Sequence, residues 1–589
     1  MKLIKLISLV IPALLVSCLN GEEKHLESQS EITELNWRGF DQSIFNDAKG
    51  NNKLVLLNIG ANWCHWCHVM DDSTYSNPKV QNLLNSNFIL AHEDQDSRAD
   101  LFAKYRSYGW PATIVFNSNG EELLKLRGYQ SPKKFMALLE NTIKNPTVIE
   151  QQNEFENYSP DAIDTSNTRE LITQFNALVD SDKGSLKSYK KSLYKPSINF
   201  AFQFYKQSDS LKDWLNTSIK KSYQLLDPVW GGVYQYATHY DWKNAHYEKI
   251  LRIQAEYMDS YAIYGYTFND TMAINNAEKI YHYSNRFLSS NSPLFDNSQD
   301  ADYLKGIEST QYYKLDDEER TELGIPAVNE KQFLKENALM AKALVNLWLA
   351  TNNDKYIQRA QGILEAITRN YKAKNGLYKR NPDDDEIYSL EDNLALVDAF
   401  TIAHQVSGNE DFLIDAENLT NSILKNFKND NNILLSNCGN LIVESPILPS
   451  SNYEAVLALN KLGQILKNEN LIQESKELFT NIYKSEFSRS EYYIPYLLMS
   501  KNWLETEQFH AVWISDKLGS KLEFDLIKSI LKITQQRIII ERVDLNNLSE
   551  TNKILYGTTS PNTLFICTST FCSSPMYTIE DLNNFWKMQ

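Results

Sequence analysis

The chain contains 589 residues, of which 42% are hydrophobic and 12% aromatic, so it can bury the cores of several domains. The formal net charge of −16 argues against nucleic acid or an anionic membrane surface as a partner. The chain has six cysteines, and such sparse usage excludes a small fold stapled by many disulfides.

The first 18 residues have the pattern of an export signal. Lys2 and Lys5 precede an apolar core over 6–16 that is too short to span a membrane. The ending L-V-S-C resembles a bacterial lipobox, which predicts a lipid on Cys18 and a tether over 19–34. Leu19, which follows Cys18, is not the aspartate that retains lipoproteins in the inner membrane. We therefore expect a cell-envelope lipoprotein of the outer membrane, periplasmic or surface-facing, with the anchor as its membrane contact. A cleaved soluble protein is the alternative.

Residues 35–148 are predicted to form a thioredoxin-like domain. An apolar strand over 54–59 leads to Cys64-His65-Trp66-Cys67, and a helix should carry the two cysteines. The other predicted elements are helices over 37–48, from 78 and from 132, and strands over 88–91, 112–117 and 122–126, the last two joined by a Ser-Asn-Gly turn.

The C-x-x-C motif predicts a thiol–disulfide exchange site. Cys64, on the exposed side of the first helical turn, would be the nucleophile, because unpaired backbone N–H groups stabilise its thiolate. Cys67, one turn later and more buried, would resolve the mixed disulfide. Protonated His65 would lower the pKa of Cys64 further, and Trp66 completes the motif.

The same residues allow other interpretations. The string C-H-W-C-H, ending at His68, also satisfies the attachment pattern of c-type haem, and a C-x-x-C can be half of a zinc site or a structural disulfide. The preceding strand favours the thioredoxin-like interpretation. So does Pro111, which stands before a second apolar strand, at about the separation where thioredoxins place a cis-proline. The sequence therefore predicts neither a cofactor nor a metal ion.

Asn58 stands where ordinary thioredoxins carry a buried aspartate, six residues before the first cysteine. An amide cannot act as a general base near neutral pH, so proton transfer at Cys67 must use water or another nearby group, with His68 and the carboxylates of the loop over 94–100 as candidates. We expect an exchange centre more oxidising than a reducing thioredoxin, because His65 and the helix terminus stabilise the reduced form.

Residues 160–506 show one amphipathic helical pattern after another, without a strict repeat. The clearest helices are predicted over 249–268, 335–350, 354–371, 391–405, 411–427 and 453–466. Paired helices over this length fit an (α/α)6 toroid, and an array of helical bundles is the alternative. The fold class is thus multidomain, α/β followed by all-α.

Residues 507–589 return to an α/β pattern. Strands are predicted over 511–514, 537–543 and 563–567, and helices over 522–531 and 579–586. Cys567 and Cys572 could form a local disulfide, a second exchange pair relaying to Cys64, or free thiols or metal ligands. The isolated Cys438 is expected to be a small buried residue or an idle thiol.

The segments C-H-W-C-H-V-M, P-K-V-Q-N-L-L-N-S-N-F-I and G-W-P resemble the thioredoxin-like family related to spermatogenesis-associated protein 20. The resemblance continues along the mature chain and implies a thioredoxin-like domain joined to a helical domain of the six-hairpin glycosidase type. The family's D-R-E-E-R-P-D stretch corresponds to 94–100, which adds Asp94 and Asp96 to the region of the redox site and keeps Arg98 and Asp100.

Three further signatures of this family imply a candidate site in the toroid: D-W-K-N-A-H-Y-E-K-I-L, S-Q-D-A-D and L-E-D-N-L-A-L. The implied set comprises Asp241, Trp242, His246, Glu248, Asp300, Asp302, Glu391 and Asp392. Ala245 stands where the family has proline, and Glu336 where it has tryptophan. The set could perform acid–base chemistry on a sugar, bind a sugar without turnover, or be structural.

Together these features predict an exported, lipid-anchored thiol–disulfide oxidoreductase-like protein that acts on client proteins or a redox partner through Cys64. The main alternative is a carbohydrate-active or carbohydrate-binding protein with a sugar ligand in the toroid and an accessory thioredoxin domain. A binding or scaffold protein in which neither site turns over is the third hypothesis.

Overall fold

The computed structural model describes residues 34–149, 168–290, 292–307, 309–383, 386–485, 491–517, 519–534, 538–547, 561–568 and 570–588. The predicted signal peptide, the lipidation at Cys18 and most of the tether lie outside these residues. Among the described helices, none is both long and apolar enough to cross a membrane.

The N-terminal domain is built on one five-stranded mixed sheet flanked by helices. Its strands are β1 Trp37–Arg38, β2 Leu54–Gly60, β3 Phe88–Asp94, β4 Ala112–Phe116 and β5 Glu122–Arg127, and its helices are α1 Ser43–Asn51, α2 His65–Met70, α3 Pro78–Asn87, α4 Ala99–Tyr105 and α5 Pro132–Lys144. The strand order is β1-β3-β2-β4-β5, with β1, β3 and β2 parallel and the other pairings antiparallel. This is a thioredoxin-like arrangement, as predicted.

The helix predicted over 37–48 is partly wrong. Trp37 and Arg38 form β1 instead, because they pair with Leu90 and Ala91 at the edge of the sheet, and α1 begins at Ser43. Pairing with a strand about 50 residues away leaves no local pattern in the sequence. The predicted hairpin of β4 and β5 is confirmed.

Twelve helices of the described chain form a double-layered ring, and a short helix, α11 Asp317–Leu323, lies in a connection. The inner helices are α7 Lys195–Phe204, α9 Leu251–Phe268, α12 Leu334–Thr351, α14 Leu390–Ser407, α16 Pro449–Leu466 and α18 Ile494–Glu505. The outer helices are α6 Thr168–Leu178, α8 Asp209–Ser222, α10 Thr271–Phe287, α13 Asp354–Asn370, α15 Glu410–Phe427 and α17 Glu469–Lys484. The inner helices pack in the order α7-α9-α12-α14-α16-α18 and back onto α7, so the ring is closed. This confirms the toroid.

Sequence determines which helices lie inside. The inner helix α14 buries side chains on nearly all sides, because it has neighbours in every direction. The outer helix α13 buries one stripe, in which Tyr356, Ala360, Ile363 and Ile367 follow one another three or four residues apart.

Short strands connect the loops that precede the inner helices. They are β6 Tyr236–Ala237, β7 Ala245–His246, β8 Lys249–Ile250, β9 Ser298–Gln299, β10 Val328–Asn329, β11 Ile387–Ser389 and β12 Asn437–Gly439. All pairings among them are antiparallel, and β8, β9 and β10 form a three-stranded sheet. The N-terminal domain covers this end of the ring.

The C-terminal part contains β13 Phe509–Ser515, α19 Lys521–Thr534, β14 Ile538–Asp544, β15 Thr563–Cys567 and α20 Ile579–Met588, each predicted within a few residues. The strand order is β14-β13-β15. Arg542 pairs with Glu523 and donates to the carbonyl oxygens of Gln405 and Val406 in the last turn of α14. This layer therefore lies on the opposite end of the ring from the N-terminal domain. Cys567 and Cys572 form a disulfide, one of the alternatives left open by the sequence.

Candidate redox site at the domain interface

The two cysteines of the C-x-x-C motif lie at the N-terminus of α2, a few residues after the central strand β2. Cys64 is the N-cap residue, and its Sγ accepts a hydrogen bond from the backbone N–H of Cys67 at 3.2 Å. A disulfide joins Cys64 and Cys67, whose Cα atoms are 5.3 Å apart. Pro111, which follows Trp110 through a cis peptide bond, precedes β4, the neighbour of β2. A backbone N–H directed at Cys64 Sγ stabilises a thiolate there.

The prediction that Cys64 lies on the exposed side is wrong. Cys64 is 5% exposed and Cys67 8%, and both belong to the same apolar cluster as the helical ring. The second domain therefore covers the surface at which a lone thioredoxin domain would present its nucleophile. Trp66 remains 46% exposed and lies against Tyr129, with 5.8 Å between the ring centroids.

Carboxylates from the ring contact both histidines of the motif. Nδ1 of His65 lies 2.9 Å from each carboxylate oxygen of Asp302, and Nδ1 of His68 lies 3.2 Å from Asp302 Oδ2. Nε2 of His68 lies 3.6 Å from Asp300 Oδ2. Burial lowers the pKa of His68, but Asp302 and Asp300 outweigh it and raise that pKa above its ordinary value. Burial raises the pKa of Asp300 to about 6.

Two more residues of the predicted toroid set lie beside Asp300. Glu248 is opposite it in the antiparallel register, because Lys249 pairs with Gln299. The Glu248 side chain is buried, and its Oε2 has no hydrogen-bond partner. Nδ1 of His246 lies 3.5 Å from Glu248 Oε1. His246, Glu248, Asp300 and Asp302 thus converge near the disulfide rather than in the centre of the ring.

Asp96 anchors another part of the interface. Its Oδ2 accepts hydrogen bonds from Trp63 Nε1 at 2.7 Å and from Asn297 Nδ2, on the ring, at 2.8 Å. Burial, followed by the charge of Asp94, raises the pKa of Asp96 to about 7. Asp94 itself accepts hydrogen bonds from the Asp96 N–H and from Ser97 Oγ, so it organises the loop.

Arg380 is the cationic centre of this interface. Its guanidinium donates to the backbone carbonyl of Asp96, lies 2.7 Å from Asp392 Oδ1 and lies 3.2 Å from Glu336 Oε1. Asp392, a predicted toroid residue, is therefore held in a buried ion pair. Glu336, which departs from the family pattern, shares the same cation.

His92 is a candidate that the sequence did not reveal. Its Nδ1 lies 3.0 Å from Nδ2 of Asn58, its partner across β2 and β3. A Cβ at Gly60 would lie 3.6 Å from Cys67 Sγ and 3.7 Å from His92 Cε1, so the resolving sulfur and the imidazole face the same space. The sequence could have indicated His92 only through the register of β2 and β3. In that register His92 pairs with Asn58, so it lies on the sheet face where thioredoxins carry the buried aspartate.

Two predicted residues lie elsewhere. The Asp241 side chain is 45% exposed, and its Oδ1 accepts a hydrogen bond from the backbone N–H of Lys243, two residues later in the same turn. Trp242 is buried and donates from Nε1 to the carbonyl of Lys183 at 2.6 Å. These contacts are structural, so the structure does not bring Asp241 and Trp242 to the redox site.

The ring also encloses a separate cavity of about 890 Å³, which inner helices line together with Phe102 and Arg106 of the N-terminal domain. Of the predicted toroid set, only Glu391 lines it. Glu391 lies 3.1 Å from Arg106 Nη1 and is also paired with Lys335. Burial would raise the pKa of Glu391, but Lys335 and Arg106 hold it below its usual range.

Glu454 and Lys461 extend into this cavity from one face of α16. Burial, followed by the charge of Glu391, raises the pKa of Glu454 to about 7. Among the described residues, neither Glu454 nor Lys461 has a salt-bridge partner within 4.0 Å. The sequence alone reveals neither residue, because a charged residue in an amphipathic pattern is typical of an ordinary surface position.

Comparisons with known proteins find similarity to the N-terminal domain and to a longer part of the chain. Residues 18–172 match the family model Thioredox_DsbH, described as a protein of unknown function, DUF255. Spermatogenesis-associated protein 20 of Mus musculus is 24% identical over 379 residues, covering 56% of this chain and 47% of that protein. These matches relate the chain to the spermatogenesis-associated protein 20 family. The match spans less than half the length of this curated relative.

Two more comparisons concern single parts of the chain. The thiol:disulfide interchange protein DsbD of Yersinia pestis is 30% identical over 106 residues, covering 17% of this chain and 18% of that protein. A solved structure titled sugar epimerase, from a ruminal bacterium, covers 53% of this chain and 84% of its own, with a TM-score of 0.45 and 16% identity. The second similarity concerns the fold alone.

Proposed function

We propose that this protein exchanges disulfides with a client through Cys64 and Cys67. The observation that carries the proposal is the hydrogen bond from the Cys67 N–H to Cys64 Sγ at the start of α2. This contact stabilises the sulfur that must carry negative charge in exchange chemistry.

Starting from the oxidised protein, a client thiolate attacks Cys64 Sγ, the Cys64–Cys67 bond breaks, and Cys67 leaves as a thiolate. A second client thiolate then attacks the client sulfur of the mixed disulfide, and Cys64 leaves as a thiolate. The client gains a disulfide, and the protein gains two thiols. The reverse sequence reduces a client disulfide.

His92 supplies the proton transfer that Asn58 cannot. The Asn58 Oδ1 has no hydrogen-bond partner, and rotation of the amide would let it accept a bond from Nδ1–H of His92. Nε2 then carries the lone pair and accepts the proton of the Cys67 thiol before resolution, directly or through one water. When Cys67 leaves as a thiolate, the imidazolium returns a proton to it.

A client would approach beside Trp66, because the ring covers the rest of the motif. Trp66 and Tyr129 form a partly exposed aromatic surface next to Cys64, suited to an apolar side chain of a polypeptide. We further propose the cell envelope as the place of action, with the protein held there by a lipid on Cys18.

Trapping of mixed disulfides tests the proposal. In the full-length chain, the Cys64 thiolate of Cys67→Ser should attack a disulfide-containing client or oxidised glutathione, release one thiolate, and remain as a covalent adduct, since no resolving thiol is left. Cys64→Ser should trap at least tenfold less, and the double serine variant should trap nothing. Equal trapping by the two single variants would contradict the assigned roles, and trapping by the double variant would place the chemistry at one of the four remaining cysteines, Cys18, Cys438, Cys567 or Cys572.

A sugar ligand in the ring is the second candidate function. It is favoured by the volume of the cavity, by the carboxylates of Glu391 and Glu454, and by the aromatic side chains of Tyr257 and Trp503 in its wall. Calorimetric titration with mono- and disaccharides tests it. Binding should weaken at least tenfold in Glu454→Gln and stay unchanged in Cys64→Ser. Absence of binding heat for every sugar, with both variants folded, would reject this second function.

A further inference from the structure

The His68 imidazole lies among buried carboxylates between the two domains. Its Nδ1 is 3.2 Å from Asp302 Oδ2, and its Nε2 is 3.2 Å from the carbonyl oxygen of Asn62 and 3.6 Å from Asp300 Oδ2. One ligand atom from each of His68, Asp300 and Asp302 can be chosen so that all three lie within 4.8 Å of one another. All three side chains are buried.

Both nitrogens of His68 therefore face oxygen atoms. A neutral imidazole has one N–H and one lone pair. If Nε2–H donates to the Asn62 carbonyl, the Nδ1 lone pair points at a carboxylate oxygen 3.2 Å away. Two electron pairs at this distance repel each other unless a second proton or a metal cation lies between them.

The surrounding charge favours a cation. The buried Glu248 lies opposite Asp300 in the ladder, and its Oε2 has no hydrogen-bond partner. The nearest lysine along the chain, Lys249, directs its ammonium to Asp227 at 2.6 Å. Among the described residues, no lysine or arginine forms a salt bridge with Glu248, Asp300 or Asp302. Backbone N–H groups of Asp302 and Gly306 donate to Asp300 and Asp302, but the only side chains able to carry positive charge that these three carboxylates contact among the described residues are imidazoles.

We infer that His68, Asp300 and Asp302 bind a divalent transition metal ion of the Zn²⁺ class. Imidazole nitrogen and carboxylate oxygen are ligands that Zn²⁺ accepts at about 2.0–2.2 Å. The Asn62 carbonyl fixes the tautomer of His68, and His65 Nδ1, 2.9 Å from Asp302, orients that carboxylate; metal-ligating residues usually have such partners. The ion would join α2 of the redox domain to the helical ring.

Calorimetric titration of the chelator-treated, full-length chain with Zn²⁺ tests this inference. The Cys64→Ser/Cys67→Ser variant is the background, because it removes the two thiols of the motif, which could bind the same metal. We expect one equivalent to bind, binding at least tenfold weaker when Asp300→Asn is added, and unchanged binding when Asp241→Asn is added as a matched surface control. Failure of the background protein to bind one equivalent would overturn the inference, and so would equal binding by the Asp300→Asn protein.

If Asp300→Asn fails to fold, X-ray absorption at the zinc edge identifies the ligands of the bound ion instead. The loaded wild-type protein should show nitrogen and oxygen ligands only, including an imidazole. A sulfur shell would overturn the inference, because it would place the metal on cysteine. Both measurements remain informative if disulfide exchange is absent, so the metal site and the proposed redox function can fail separately.

Discussion

The domain interface and the central cavity both collect buried charges, but the chemistry they allow differs. At the interface, Asp300 and Asp302 of the ring contact imidazoles beside a disulfide. In the cavity, carboxylates such as Glu391 are balanced by lysine and arginine, and no histidine occurs in its described lining. The interface thus places imidazoles and carboxylates next to two sulfurs, whereas the cavity places ion-paired side chains around an open volume. The residues that the family motifs single out lie mostly at the interface.

The largest expected effect comes from breaking the interface at Arg380. Arg380→Met leaves Asp392 and Glu336 buried without their cation and removes the bond to the Asp96 carbonyl. Removing one partner of a buried ion pair costs about 3–5 kcal/mol, so the unfolding midpoint in urea should fall markedly. Arg286→Met is the matched control. Its pair with Asp317 is about half exposed on both sides, so its loss should lower the unfolding midpoint far less. If both variants lose a similar amount of stability, the ion pairs of Arg380 do not hold the interface together.

The sequence predicts many residues of the interface, but it does not predict that these residues lie together between two domains. The helical periodicity and the C-x-x-C motif revealed the fold class and the cysteines, because both depend on local spacing. The meeting of His65 with Asp302, 237 positions later, depends on how two domains dock. For the same reason the burial of Cys64 could not be foreseen.

We expect proton transfer at the redox site to depend on His92. His92→Gln keeps a side chain that can hydrogen bond Asn58 but removes the base, so release of a mixed disulfide by Cys67 should slow by about tenfold to hundredfold. Stopped-flow decay of a preformed adduct with a chromogenic thiol measures this step. The exposed His282→Gln is the control and should leave the rate unchanged. An unaltered rate in His92→Gln would assign the proton to water or to His68.

The smallest effect is expected in the cavity. Burial raises the folded pKa of Glu454 to about 7, above its ordinary value of 4.5. Between these pH values the unfolded chain has lost a proton that the folded protein keeps, so this group lowers stability as the pH rises from 4.5 to 7. Glu454→Gln should therefore match the wild type near pH 4 and be more stable at pH 8, by about 1 kcal/mol or less, because the carboxyl opens onto the cavity. Melting temperatures at the two pH values test this. A variant that is less stable at pH 8 would show that Glu454 is paired in the folded protein.

If the two domains assemble one redox centre, His65 and Asp302 must be energetically coupled in it, and a double-mutant cycle measures that coupling. The quantity to measure is the equilibrium constant of the Cys64–Cys67 pair with glutathione, in His65→Gln, in Asp302→Asn and in the double variant. We predict that the two effects deviate from additivity by at least about 1.4 kcal/mol, a factor of ten. The matched cycle of Arg106→Gln with Glu391→Gln, a second interdomain pair that lies in the cavity wall, should leave the constant unchanged. Additive effects of His65→Gln and Asp302→Asn, within about 0.5 kcal/mol, would mean that the two domains do not share one redox centre.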